Sequence, residues 1–508
     1  MRMRTALYSI ACALGIAALA PADVLILKDG RVFKDHPMKH TEAGVTIAFE
    51  NGEVLVREEL IQDAIIVNDR PFVPQTNEER EKVDKGFVRY EGKWVTPARR
   101  ESLIDDRLKE YDERLQEMLE TRQWRSRRME STKHFDFEAT VPKHIFEDYR
   151  DLMETYFTSF LKEWKLKQPR DLGRLKVCFY IDRDNYLQVT GQSPYVLGYF
   201  RFVPPLELNI YYDRLDPGGT EDVMFHEANH YLQKLIDPGF SYPHFPGESL
   251  AEYYGASSWD PDKKELTTGL VQEGRLTEVL EDISRDEWVG LEKLLRGEAG
   301  YEDYTWGWSL VHFLMNDKKL GPKFRKWYVA LAKGKDVDRT KGGWNLDTVA
   351  GDEMLRSFKD YLGLRSDDDL KELEQDWYEY IQEVLRIQSV RGLEVAAWNA
   401  YRSGKPLRAK RLFGEALDKG TDQALTFYRY ANLLDSADEE EDKRFEYWRT
   451  AIELDPLTAD FYIRLGMELT GKDDEADKEE GKRLLKLALE IEPENYWLER
   501  NLDTYLER

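Results

Sequence analysis

Apolar and polar positions alternate with a period of two at the start of the chain and change to a helical period further on. "DVLILKDGRVF", "GVTIAFENGEVLV" and "AIIV" alternate like half-buried strands, and "KDG" and "ENG" supply the turns between them, so residues 23–68 read as a small β-rich, barrel-like domain. A polar, proline-containing linker follows, then "FVRYEGKWVTP", which reads as one more short hairpin. Ile104, Leu108, Tyr111, Leu115 and Met118 recur every three or four residues between charged faces, predicting a helical arm that closes the 69–133 stretch. From 134 to 390 helical runs such as "FEDYRDLMETYFTSFLKEWKL" mix with the strands "RLKVCFYI", "YVLGYFRF" and "ELNIYY", and helices then take over. That order predicts an α+β domain.

The last segment, 391–508, repeats itself. "AIELDP" begins at Ala451 and "ALEIEP" at Ala488, 37 positions on. Tyr401, Gly404 and Ala409 precede the first unit at the spacing of a helix pair, and Leu465 and Gly466 precede the last. The period and the closing prolines resemble tetratricopeptide repeats, which implies a helical stack. Such a stack either presents a concave face to a protein partner or buttresses its neighbour.

Composition narrows the partners. The 508 residues carry a formal charge of -24, which argues against nucleic acid or an anionic membrane surface; the basic "RQWRSRR" reads as a solvated helix end. "MRMRTALYSIACALGIAALAPADV" has a basic start, an apolar core from Thr5 to Ala20 and a small-residue cleavage site. It reads as a signal peptide, 1–22, and predicts export to a periplasmic, cell-envelope or secreted location. No transmembrane span is expected after it. Cys178 is then the single remaining cysteine, in a strand-like run, and reads as a packed thiol.

The candidate chemistry lies in "VMFHEANHYLQKL". Thr220 reads as the cap of a helix, with Glu221 and Asp222 in its first turn and Asp237-Pro238-Gly239 ending it. His226 and His230 then share one face, a turn apart, at the spacing for two nitrogens on one zinc ion, and Glu227 stands beside the first as a general base. Chance produces H-E-x-x-H in on the order of 1% of chains this long, so a third ligand is required. "FPGESLAEYYG" supplies two acids one turn apart, Glu248 and Glu252: one to bind the metal, the other to hold the far nitrogen of a ligating histidine. Ala251 and Gly255 are small enough to let the two helices approach.

The combination resembles the gluzincin zinc metallopeptidases, with "GESLAEYYG" similar to the aminopeptidase-N-like branch and the acid pair similar to the thermolysin pattern. Residues 134–390 are most similar to an uncharacterised family of bacterial exported proteins. The resemblance implies a thermolysin/aminopeptidase-N-like domain in which His226, His230 and Glu248 bind Zn²⁺, Glu252 orients a ligand, and Glu227 is the base that deprotonates a metal-activated water for peptide-bond hydrolysis. "YTWGWSLVHFL" looks like the helix start carrying the tyrosine of the aminopeptidase-N-like enzymes. This implies that Tyr304 stabilises the oxyanion, with Tyr301 the neighbouring alternative. The strand "VLGYFRF" lacks the acid that holds a free amine in those aminopeptidases, which favours endopeptidase action on a peptide or protein. His244, the remaining histidine near the site in sequence, reads as taking no part in the chemistry, with a loop or substrate-contact role the alternative. A catalytically silent peptidase-like scaffold acting through its repeats, and a hydrolase of another bond, are the alternatives.

Overall fold

The computed structural model describes residues 23–34, 36–66, 72–90, 92–169 and 172–507. The signal-peptide reading of residues 1–22 lies outside them. The described residues form a mixed α+β protein with a C-terminal helical stack, and contacts divide the chain into two compact units, 1–113 with 455–508, and 114–454.

In the first unit six strands pair as two three-stranded antiparallel sheets. One joins β1 (Val24–Leu27) to β2 (Val32–Lys34) and β6 (Ile61–Ile65); the other joins β3 (Met38–Thr41), β4 (Gly44–Phe49) and β5 (Gly52–Arg57). The polar linker contains a helix, α1 (Asn77–Asp84), started by a reciprocal capping box between Thr76 and Glu79. The expected hairpin follows as β7 (Val88–Tyr90) and β8 (Lys93–Val95). The arm is the helix α2 (Pro97–Thr121), within which the division between units falls. Ile104 and Tyr111 do not project as a free stripe: they are buried against Val24, Ile26 and Ile65. Three C-terminal helices, Ala459–Thr470, Glu475–Ile491 and Tyr496–Leu506, belong to the same unit. Glu490 accepts from the Glu50 N–H at 2.7 Å, and Arg31 reaches Asp455 at 3.1 Å, so the chain's two ends are joined by charge-assisted contacts.

The second unit is built on a five-stranded sheet. Its order is β12 (Gly198–Arg201), β13 (Glu207–Tyr211), β11 (Leu175–Tyr180), β10 (Phe135–Ala139) and β9 (Arg128–Ser131). The inner three strands are parallel, and the two edges run antiparallel to their neighbours. Leu175, Val177 and Phe179 of β11 face the main core, whereas Cys178 and Tyr180 pack on the opposite face with Tyr186 of α4 (Arg183–Thr190). Burial on both faces explains why this central strand is almost wholly apolar. The helix α3 (Lys143–Trp164) buries Ile145, Tyr149, Leu152, Tyr156, Phe160 and Trp164 along one face of 3.6-residue period.

The helical half begins with α5 (Pro217–Lys234) and α6 (His244–Gly255). It continues through α7 (Glu273–Ser284), α8 (Leu291–Leu295), α9 (Glu302–Asn316), α10 (Leu320–Lys333), α11 (Gly351–Leu362) and α12 (Asp367–Glu383). Two helical hairpins end the unit: α13 (Val390–Arg402) with α14 (Pro406–Asp418), and α15 (Ala424–Ser436) with α16 (Glu441–Leu454). Alanines 396, 397, 400, 409 and 416 fill the first seam, and Gly404 takes a positive φ of 71° in its turn. The repeat-like segment is therefore shared between the two units: its first four helices lie in the second and its last three in the first.

Candidate metal centre

Helix α5 starts four residues earlier than its sequence suggests. Asp216, not Thr220, is the cap: its carboxylate accepts from the Gly219 N–H at 3.0 Å, and Pro217 fills the first helical position, where an N–H has no use. Thr220 is buried and accepts instead from the Asp213 N–H at 2.8 Å. Met224, Phe225, Ala228 and Leu232 enter the core, leaving His226, Glu227 and His230 on the partly open side.

A buried chain of amides fixes α5 against α6. Asn229 donates to the Tyr156 hydroxyl at 2.9 Å, and Gln233 donates at 2.9 Å both to Asn229 and to the Gly247 carbonyl. Helical geometry in α6 becomes regular after Phe245, as Pro246 and Gly247 suggest. A Cβ on Gly255 would meet the His226 Cβ and the Asp222 carbonyl at ordinary contact distance. The tighter crossing is at Gly307 of α9, where a Cβ would stand 2.2 Å from the Ser249 hydroxyl. Ser249 also donates to the Asp303 carbonyl at 2.7 Å, fixing the start of α9, and hence Tyr304, to the turn of α6 that carries Glu248.

These constraints bring His226, His230 and Glu248 together, with one donor atom from each within 4.8 Å of the others. The Glu248 Oε2 lies 3.3 Å from the His226 Nε2 and 3.4 Å from the His230 Nε2. Ligand atoms in tetrahedral coordination with bonds of about 2.0–2.1 Å stand about 3.3–3.4 Å apart, so the spacing and the N₂O donor set fit zinc. The His226 Nδ1 faces the Glu252 Oε1 at 3.5 Å. Glu252 is only 5% exposed and is clamped by the Arg275 guanidinium at 2.7 and 3.2 Å. Glu248 and Glu252, alike in sequence, thus have distinct surroundings.

The electrostatics describe a pocket rich in negative charge. Burial alone would lower the His226 imidazole, but the Glu248 hydrogen bond and the charges of Glu252 and Glu227 outweigh it and lift the group to about 9. Burial opposes ionisation of Glu248, yet the two imidazoles hold its carboxyl far below the usual range. Glu227 shifts the other way: burial raises its carboxyl, against the pull of His226 and His230. Its Oε2 accepts from the Phe200 N–H at 2.9 Å, which ties it to the edge strand β12.

Tyr304 stacks beside His226 with ring centroids 6.3 Å apart, and burial together with the Glu248 charge raises its hydroxyl. Tyr301 is 58% exposed and is engaged by Arg275 at 2.9 Å. Three features have no counterpart in the motif reading. His244 lies edge-on to Tyr304 at 5.0 Å and pairs through Nδ1 with the buried Asp303 at 2.7 Å, a bond that raises the imidazole. Arg275 grips Glu252. The helices α13 and α15 line the same cleft, of about 960 Å³, as His226, Glu227 and Tyr304. The first two join positions far apart in the chain, and only the histidine itself was a visible signal.

Cys178 is buried and free, and burial pushes its thiol up to about 12, in keeping with a packed side chain. No helix among the described residues is long and apolar enough to cross a membrane. No protein-family model and no curated protein matches the chain.

Proposed function

We propose that the protein is an exported zinc metallopeptidase of gluzincin type, with a thermolysin/aminopeptidase-N-like catalytic domain, that hydrolyses peptide bonds. The observation that carries this reading is the convergence of His226, His230 and Glu248 on one point with the raised Glu227 carboxyl alongside. The two imidazoles and Glu248 would hold the ion, and Glu252 faces the outer nitrogen of His226. Zinc bound there supplies a Lewis acid, which acidifies water and polarises a carbonyl.

The chain's own residues handle the protons. Glu227, restrained through one oxygen by Phe200, takes a proton from the attacking water with the other and delivers it to the leaving amine. A carboxyl raised by burial is better matched to this shuttle than an ordinary glutamate. Tyr304 donates to the developing oxyanion, and His244, oriented by Asp303, stands next to it as a second donor. The wide cleft accommodates an extended peptide.

The test is the Glu227→Gln variant. It is expected to retain stoichiometric zinc and to lose cleavage of a broad peptide library by about 10²–10⁴-fold. A wild-type protein that takes up no zinc, or a variant as active as wild type, rejects the mechanism. Peptide binding without any cleavage favours the scaffold alternative.

A further inference from the structure

We infer that Arg402 and Arg429 form a subsite for a carboxylate of the bound peptide, at the side of the cleft built by the repeat-like helices. This inference rests on the peptidase reading and adds a substrate class to it. Arg402 ends α13 and Arg429 lies within α15; both line the cleft that also holds His226, Glu227 and Tyr304.

The cleft's other arginines are engaged. Arg275 is held by Glu252, and Arg391 by Asp216 and Asp222. Among the described residues, neither the Arg402 nor the Arg429 guanidinium has an ion pair or a hydrogen bond, although acidic residues outnumber basic ones by 98 to 74. The carboxylates whose charge reaches Arg429 are committed elsewhere. Asp213 accepts from the Leu215 N–H at 3.0 Å, Asp216 from the Gly219 N–H and Arg391, and Glu394 from the Thr421 hydroxyl.

Arg429 is also preorganised. Its guanidinium lies 4.0 Å over the Trp398 ring and is half-buried. Stacking occupies the face of the group and leaves its N–H edge for a planar, two-oxygen acceptor. A peptide offers that acceptor from two sources: its C-terminal carboxylate, or an aspartate or glutamate side chain. The first would make the enzyme trim C-termini; the second would make it an endopeptidase with an acidic preference.

The experiment uses one hexapeptide in three forms: a free C-terminal acid, a C-terminal amide, and an amide with one internal glutamate. Binding of dye-labelled peptide to the zinc-loaded Glu227→Gln protein is measured by anisotropy, and kcat/KM is measured on wild type. A charge-assisted pair predicts on the order of tenfold preference for one acidic form over the neutral amide. The preference should fall toward one in Arg429→Gln and in the solvent-exposed Arg402→Ala, and should be partly restored in Arg429→Lys. Preference for the free acid alone identifies the C-terminus; preference for the internal glutamate identifies a side chain. Equal binding of all three forms, no binding of any, or a preference that survives both substitutions overturns the subsite. Discrimination in binding without cleavage by wild type leaves the subsite standing and rejects the peptidase; equal cleavage of all three forms does the reverse.

Discussion

Helix α5 carries two ionisable clusters, and they solve the problem of half-buried charge in opposite ways. In its middle turns His226 and His230 face Glu248, and the carboxyl is held far below its usual range. In its second turn Glu221 and Asp222 share a single arginine, Arg391, and both are raised, Glu221 to about 7 and Asp222 to about 6. Burial is the largest influence in each case, and the count of nearby cations sets the sign. The first cluster favours the ionised carboxylate, as the proposed metal site requires. The second is under-compensated and keeps protons that an exposed carboxyl would release.

The strongest break of this comparison is Glu248→Ala, which should abolish zinc retention, read as metal per protein after dialysis. Glu252→Gln should weaken zinc about 10–100-fold without abolishing it, because it removes an orienting partner and not a ligand. Equal loss in the two variants would mean that the acids share the metal. A smaller effect is expected at the second turn. Arg391→Ala leaves Asp222 and Glu221 without their cation, yet its side chain is 43% exposed, so solvent limits the cost to about 1 kcal/mol or less. Melting at two pH values should show that cost at pH 8 and little of it at pH 5, where both carboxyls are largely protonated. A further effect has the opposite sign. Glu221 binds its proton more tightly folded than unfolded, so its contribution to stability falls as pH rises from about 4.5 through about 7. Glu221→Gln should therefore raise the melting temperature at pH 8 and leave it unchanged near pH 4.

What was legible in the sequence follows from distance along the chain. The i, i+4 histidines and the paired glutamates lie within single helices, where spacing alone defines a face, and the apolar run of β11 and the apolar face of α3 are equally local. The N-cap was misplaced because Thr220 and Asp216 are both good caps, and Pro217 was the deciding residue. His244 with Asp303 spans 59 positions and Arg275 with Glu252 spans 23, and no periodicity encodes either contact. Repeat spacing identifies helices after residue 390 but does not encode that α13 and α15 line the cleft beside His226 and Glu227.

Arg391 belongs to the first repeat-like helix, yet it is the counter-ion of Asp216 and Asp222 on α5. Glu273 of α7 in turn receives the Gln388 and Ser389 N–H groups that begin α13. Repeat arrays usually evolve by gain, loss and exchange of units. Here the first hairpin is not free to do so: any recombination that replaced it would have to deliver a cation at this position and a backbone that Glu273 can cap. Lineages of this protein should therefore vary in the later repeats while inheriting the first together with α5 and α7 as a single hereditary block.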